Sequence, residues 1–210
     1  MLNKKLSSTP TIAMNNEYIK CLLKDIVLYN DQKAYKELFV STHEHLQRFA
    51  LSILRSKEDS EEVVSDFFIS VWQKRAALLD IENLKLYFFV SIKNISINKL
   101  RQKKRAIASF NEEYLVHFKS PFFDPAELLL SKEAVSKILV AINDLPPKCK
   151  LIFRLIKEDN LKYAEVADLL SISVKTVEAQ MAIALKKIGD SYNFKIQFPE
   201  LHSILTGKKL

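Results

Sequence analysis

At 210 residues, with a net charge of +7 and a pI near 9.2, the chain has room for one or two small domains and favours a polyanionic partner. Its 2 glycines and 2 widely separated cysteines argue against glycine-rich phosphate loops, turn-dense β folds and a disulfide framework. No apolar run approaches the roughly 20 residues of a membrane span. Apolar residues at helical spacing predict an all-α, cytoplasmic protein.

The first half of the chain predicts a four-helix bundle. Residues 1–15 form a polar, flexible lead-in without a signal-peptide core, and the predicted domain covers residues 16–105. Asp31 and Ser56 are placed to cap the second and third helices. Apolar periodicity gives these helices the approximate bounds 16–29, 32–54, 57–74 and 83–104.

The fourth predicted helix is apolar over much of its circumference, which places it at the centre of the bundle. It also carries a polar stripe at steps of three or four and a basic end. The helix dipole favours one or two cations at a C-terminus. Here five cations continue a polar stripe that contains two amides, and this larger set indicates a nucleic-acid surface. The stripe and the basic end together comprise Ser91, Asn94, Asn98, Lys99, Arg101, Lys103, Lys104 and Arg105.

The second half predicts a separate helical domain over residues 124–189. Residues 106–123 lack periodicity and contain a Ser-Pro break, which predicts a linker. Asp124-Pro125 then starts a helix that runs to about Asn143, and another follows over residues 147–158. Residues 190–210 form a tail without an assigned role.

Residues 161–188 have the spacing of a helix-turn-helix, with Ser173 placed as the N-cap of the second helix. An apolar stripe of Val174, Val177, Met181, Leu185 and Ile188 is expected to face inward. Lysine suits phosphate or guanine and glutamine suits adenine, although an ordinary amphipathic helix pair is the alternative interpretation. The groove-facing positions are then Lys175, Thr176, Glu178, Ala179, Gln180 and Ile183, followed by the basic Lys186 and Lys187.

Both halves resemble the extracytoplasmic-function group of bacterial sigma factors, the smallest members of the sigma-70 family. The first half contains EDSEEVVSDFFISVWQKR followed by IENLKLYFFVSIKNISINKLRQKKR. The second contains INDLPPKCKLIF and LKYAEVADLLSISVKTVEAQMAIALKKI. In this order, with a short linker, the strings are specific for the group. Their residue pattern resembles that of group members from Bacteroidetes.

The resemblance implies a subunit without catalytic residues, cofactor or metal that binds core RNA polymerase at its β′ clamp helices and β flap. The polymerase-contacting side chains would be Glu62, Ser65 and Asp66. The residues that read and melt the −10 element of promoter DNA would be Asn94, Asn98, Arg101, Lys104 and Arg105. The −35 duplex would be contacted by Lys175, Thr176, Glu178, Ala179, Gln180, Lys186 and Lys187. An anti-sigma factor is a further implied partner.

Two features of the helix-turn-helix depart from the family pattern. Ser171 replaces the usual glycine of the helix-turn-helix turn, and the recognition helix is less basic than in many relatives. Alternative functions are a response-regulator-type two-domain regulator, an enzyme, and an adaptor that binds only protein. The sequence shows no catalytic constellation, and the scattered histidines are interpreted as surface residues rather than ligands: His43, His45, His117 and His202.

Overall fold

The computed structural model describes residues 14–106 and 132–190, with the side chains of 104–106 and 132–137 outside that description. No strand occurs in these two ranges. The linker, the first part of the helix predicted from Asp124, and the tail lie outside the described residues. The helices are α1 (Asn16–Tyr29), α2 (Gln32–Leu54), α3 (Lys57–Lys74), a 3-10 turn (Ala77–Asp80), α4 (Leu84–Ala106), α5 (Lys132–Asn143), α6 (Pro147–Lys157), α7 (Tyr163–Leu170) and α8 (Val174–Asp190).

Side-chain caps fix where several of these helices begin. The Asp31 carboxylate accepts from the backbone N–H of Lys33 at 2.7 Å. The hydroxyl of Ser56 accepts from the N–H of Asp59, and that of Ser173 from the N–H of Thr176, both at 3.1 Å. Each cap satisfies a backbone donor that the first helical turn leaves unpaired. The three predicted caps are therefore confirmed.

The N-terminal bundle is built around α2 and α4. Phe88 and Phe89 of α4 are fully buried. The Phe89 ring meets that of Phe49 of α2 at 5.2 Å between centroids, and the Phe88 ring meets that of Phe67 of α3 at 4.9 Å. Each such aromatic side chain contributes roughly 1.5–3 kcal/mol by leaving water. The central position predicted for the fourth helix is confirmed, since α4 packs on α1, α2 and α3.

In the C-terminal part, α8 packs against α5, α6 and α7. Its buried face comprises Val177, Met181, Ala184 and Ile188. The predicted stripe was wrong at its start, because Val174 is 41% exposed, and it omitted Ala184. On α7, Leu169 is buried and Tyr163 is exposed. Periodicity thus located α8 and most of its buried face, with errors at Val174 and Ala184.

The turn between α7 and α8 has the left-handed backbone that usually favours glycine. Ser171 has φ 55° and ψ 46°. The N–H of Ile172 bonds to the carbonyl of Ala167 at 2.9 Å, which closes the end of α7. A non-glycine residue in this conformation costs on the order of 1 kcal/mol. Serine is accepted here because the packing of both helices holds the turn.

Candidate nucleic-acid interface

The polar stripe of α4 forms one exposed face. Asn94, Asn98 and Arg101 are all exposed, and they follow one another at about one helical turn. The opposite side of the same helix is anchored by Phe88 and Ile92, both fully buried. The burial of the apolar side fixes the rotation of α4, so that its amides and the guanidinium face solvent together. We call these three residues the α4 amide face.

The basic end of α4 is partly neutralised by the acidic start of α3. The Lys99 ammonium lies 3.8 Å from the Asp59 carboxylate and pairs closely with Glu62. Lys103 pairs with Asp59 as well. The hydrogen bond to Glu62 raises the pKa of Lys99, and the hydrogen bond from Lys103 lowers the pKa of the Asp59 carboxyl. Two of the five predicted cations are therefore engaged within the bundle.

The side chains of the remaining −10 candidates, Lys104 and Arg105, lie outside the described residues. Only the helical backbone of α4 is described at these positions. Their proposed role therefore stays a prediction.

The three candidate polymerase contacts lie on the exposed surface of α3. Asp66 is exposed, and the Ser65 hydroxyl donates to the carbonyl of Glu61 at 2.8 Å. Glu62 differs from them because its carboxylate already holds Lys99, although its side chain stays 61% exposed. The acidic face is thus partly a structural element of the α3–α4 packing.

The helix-turn-helix places most of its candidate contacts toward solvent. Lys175, Glu178, Ala179, Lys186 and Lys187 are exposed on α8. The exposed surface of α8 therefore carries three lysines and one acid. A helix of this kind can lie along a phosphate backbone with its N-terminal residues toward the bases.

Two of the candidate contacts on α8 are held by neighbouring side chains. The Thr176 hydroxyl is hydrogen-bonded to that of Ser173 at 2.8 Å. The Cys149 thiol donates to the amide oxygen of Gln180 at 2.9 Å. Gln180 therefore sits on the flank of α8 nearest α6, rather than at the centre of its outer face.

Comparison with known families decides between the open interpretations. Residues 38–106 match the family model "Sigma-70 region 2", and residues 136–188 match "Sigma-70, region 4". The two matches lie on the α2–α4 bundle and on the helix-turn-helix part. The chain belongs to the sigma-70 family. It is a sigma factor of the extracytoplasmic-function type, with only residues 107–135 between its two matched regions.

This family membership settles the general activity and two of the partners. A sigma factor binds core RNA polymerase and directs initiation at promoter DNA, as a regulatory DNA-binding protein. The response-regulator alternative was wrong, because the first half is sigma region 2. The Bacteroidetes origin stays a prediction.

Two solved structures are similar to this sigma factor. One is the sigma factor RpoE from Bartonella quintana in complex with the anti-sigma factor NepR, 19% identical over 76% of this chain and 96% of that one, with a TM-score of 0.47. The other is CnrH in complex with the cytosolic domain of CnrY, also 19% identical, over 82% and 96%, with a TM-score of 0.44. No curated protein sequence matches the chain. Within the described residues, no helix is long and apolar enough to cross a bilayer.

Sequence reasoning missed a set of buried polar residues where the two parts of the sigma factor meet. His45 was expected on the surface, but its ring is mostly buried and contacts the Asp159 carboxylate. Lys85, Asp159 and Glu158 lie in the same region. Burial is the largest influence on both pKa values there, lowering that of Lys85 and raising that of Glu158. No cluster of three or more metal-ligand side chains occurs in the described part of the chain.

Proposed function

We propose that the α4 amide face captures and melts the −10 element, while α8 reads the −35 element as duplex. The first role belongs to a domain spanning residues 16–105 and the second to one spanning 124–189, with the linker 106–123 near the RNA exit path. Two DNA contacts on one chain strengthen each other's binding. Once one domain is bound, the second contact is intramolecular and benefits from a high effective concentration.

The chemistry of the α4 amide face supports the first assignment. An amide offers both a donor and an acceptor to the edge of an unstacked base, and Arg101 adds a cation for the adjoining phosphate. The carboxylates of α3 would repel the same strand. The observation that carries this proposal is the common exposure of Asn94, Asn98 and Arg101 on a helix whose other side is the core of the bundle.

The position of the lysines on α8 supports the second assignment. Lys175 precedes the outer face, and Lys186 and Lys187 follow it two to three turns later, so the helix can bridge phosphates at both ends of a groove contact. We assign the base contacts to Glu178 and Ala179, with Thr176 and Gln180 at the flank.

The polymerase contacts are assigned to α3, with Ser65 and Asp66 on the β′ clamp helices and Glu62 contributing from its paired position. The second domain would contact the β flap. An anti-sigma factor stays a prediction from the family resemblance. We infer that the protein performs no chemistry itself and acts in the cytoplasm, since its partners are the polymerase and the promoter.

The double variant Asn94→Ala with Asn98→Ala tests the −10 assignment. A good base contact contributes roughly 1–3 kcal/mol, so we expect strand opening to fall at least about tenfold. The measurement is permanganate reactivity of unpaired thymines on a promoter found by run-off transcription with core polymerase. Binding to core polymerase should not change.

A matched control is Gln32→Ala, which removes an exposed amide from the start of α2. It should open the promoter as the unaltered protein does. Normal opening by the double asparagine variant would refute the −10 role of the α4 amide face and leave the family assignment intact.

A further inference from the structure

A buried cysteine holds one of the proposed −35 contacts from the interior side. Cys149 lies in the first turn of α6 and is only 1% exposed. Its thiol donates a hydrogen bond to the side-chain oxygen of Gln180 on α8, at 2.9 Å. Gln180 itself is half-buried, so its amide group lies at the boundary between the interior of the domain and solvent. We call this hydrogen bond the Cys149–Gln180 contact.

The packing of α6 on α8 keeps the two groups opposite each other. On α6, Ile152 follows Cys149 by about one turn and is fully buried. On α8, Val177 and Met181 stand before and after Gln180 and are buried as well. Neither helix can rotate about its axis without exposing this apolar surface to water. The position of the thiol relative to the amide is therefore set by the hydrophobic core.

The thiol of Cys149 is a hydrogen-bond donor at neutral pH. Burial raises the pKa of this thiol above its usual value, and the positive charge of Lys187 opposes the shift only in part. A protonated thiol carries one S–H donor. If the amide of Gln180 turned over, its N–H groups would face sulfur, which is a weak acceptor, and the buried S–H would lose its partner. The observed orientation of the amide is therefore the favoured one.

The Cys149–Gln180 contact decides which end of the amide faces DNA. A glutamine amide carries its acceptor oxygen and its donor nitrogen on opposite sides of one carbon atom. The oxygen of Gln180 is directed at the buried thiol. The nitrogen is therefore directed away from the thiol, toward the solvent side of α8. What Gln180 offers to a base edge is then a pair of N–H donors.

A pair of donors selects a different base from the one that a freely turning glutamine selects. Such a glutamine pairs with adenine through two hydrogen bonds, donating to N7 and accepting from the N6 amino group. That pairing needs the amide oxygen to face the groove, and the Cys149–Gln180 contact holds the oxygen on the other side. Among the four bases, only guanine presents two adjacent acceptors in the major groove, N7 and O6. The donors of Gln180 therefore fit guanine best.

We propose that Cys149 is a positioning residue that determines specificity: it orients the amide of Gln180 so that this sigma factor prefers guanine to adenine at one position of the −35 duplex. This role rests on the proposed function of α8 as the reader of the −35 element. Cys149 itself contacts no base and acts only through Gln180. A residue 31 positions earlier in the chain thus reverses the preference for adenine that the glutamine alone predicts.

The base preferences of the polymerase holoenzyme test this role. A promoter found by run-off transcription with core polymerase is synthesised with each −35 position randomised in turn, and the fragments that the holoenzyme binds are sequenced. Gln180→Ala identifies the position that Gln180 reads, because base preference should be lost at that position alone. We expect the unaltered protein to enrich a G·C pair over an A·T pair there.

Two substitutions at Cys149 separate the hydrogen bond from packing. Cys149→Ala removes the donor and lets the amide turn, so the preference at that position should shift from G·C toward A·T by about threefold, the size of a weak hydrogen bond. Cys149→Ser keeps a donor and should retain the preference for G·C. The matched control is Ile152→Val, which also removes buried volume from α6 and should leave the base preferences unchanged. Thermal unfolding checks that each variant is folded.

The outcomes separate this positioning role from the −35 assignment. A shift toward A·T in Cys149→Ala that is absent from Cys149→Ser and Ile152→Val supports the role. An unchanged preference in Cys149→Ala, or an equal shift in either of the other two variants, would overturn it, while the effect of Gln180→Ala keeps the −35 assignment. A preference of the unaltered protein for A·T at that position would overturn it as well. Unaltered preferences in Gln180→Ala would remove the −35 contact of Gln180 and the positioning role with it.

Discussion

The two proposed reading helices differ in how their lysines are used. On α4, Lys99 and Lys103 are paired with the acids of α3, so part of its positive charge holds the bundle together. On α8, Lys175 and Lys186 are exposed on the side opposite the buried face. Equal counts of basic residues in a sequence therefore do not mean equal surfaces for DNA.

This difference matches the two kinds of DNA proposed for them. Duplex affinity comes mainly from phosphate neutralisation, which needs uncompensated cations. Capture of an unstacked base depends more on amide edges and stacking, with a smaller need for charge. The acids of α3 reduce the positive electrostatic potential at the surface of α4, whereas Asn94 and Asn98 remain exposed there, one turn apart.

The largest expected effect is on the salt dependence of duplex binding. Replacing Lys175, Lys186 and Lys187 by alanine should make the duplex association constant less sensitive to salt. The slope of log K against log salt should become less negative by roughly 2.7, at about 0.9 for each phosphate that is no longer neutralised. Fluorescence anisotropy with a labelled duplex between about 50 and 200 mM salt, conditions chosen to bracket physiological strength, measures it. The free energy of unfolding should stay unchanged, because these side chains are exposed.

The matched variant is Lys99→Ala with Lys103→Ala on α4. It should lower the melting temperature and change the duplex slope far less. If this pair alters the salt slope as much as the α8 variant does, the lysines of α4 neutralise phosphates as those of α8 do, and the proposed difference between the two helices is wrong.

A smaller effect distinguishes the acids of α3. Asp66→Ala should weaken binding to core polymerase by roughly tenfold, about 1.4 kcal/mol. Glu62→Ala should act mainly on stability, by about 0.2–1 kcal/mol, because its carboxylate pairs with Lys99 at a largely exposed site. Surface-immobilised core polymerase and thermal unfolding measure the two quantities. If both variants lose the same polymerase affinity, the pairing of Glu62 with Lys99 does not give Glu62 a different role from that of Asp66.

The smallest effect concerns pH. The hydrogen bond from Lys103 lowers the pKa of the Asp59 carboxyl in the folded protein, so the folded state favours its ionised form. That stabilisation is complete above the unfolded pKa of about 3.9 and is lost as the pH falls through the lower folded value. Asp59→Asn should lower the free energy of unfolding by about 1 kcal/mol or less at pH 7, and the difference should vanish once the pH falls below the folded pKa of Asp59. A difference that persists in acid would implicate the helix start rather than the ion pair.

The sequence by itself determined the all-α class, the order of the helices and most of their starts. These features depend on residues close together in the chain. Asp31, Ser56 and Ser173 each cap a helix within three residues of themselves, and the apolar period of a helix is visible over two turns. A break between the two helices at Ser171 was predicted from the same local signals, and the structure gives that residue a left-handed backbone.

Only the tertiary structure decided which polar side chains meet. His45 and Asp159 are 114 positions apart, and Lys85 meets carbonyls 74 and 75 positions later. Nothing local marks such partners, because their approach depends on how every intervening helix packs. The same reason explains why the basic end of α4 looked uncompensated: the acids that neutralise Lys99 and Lys103 come from a helix that only the bundle brings alongside.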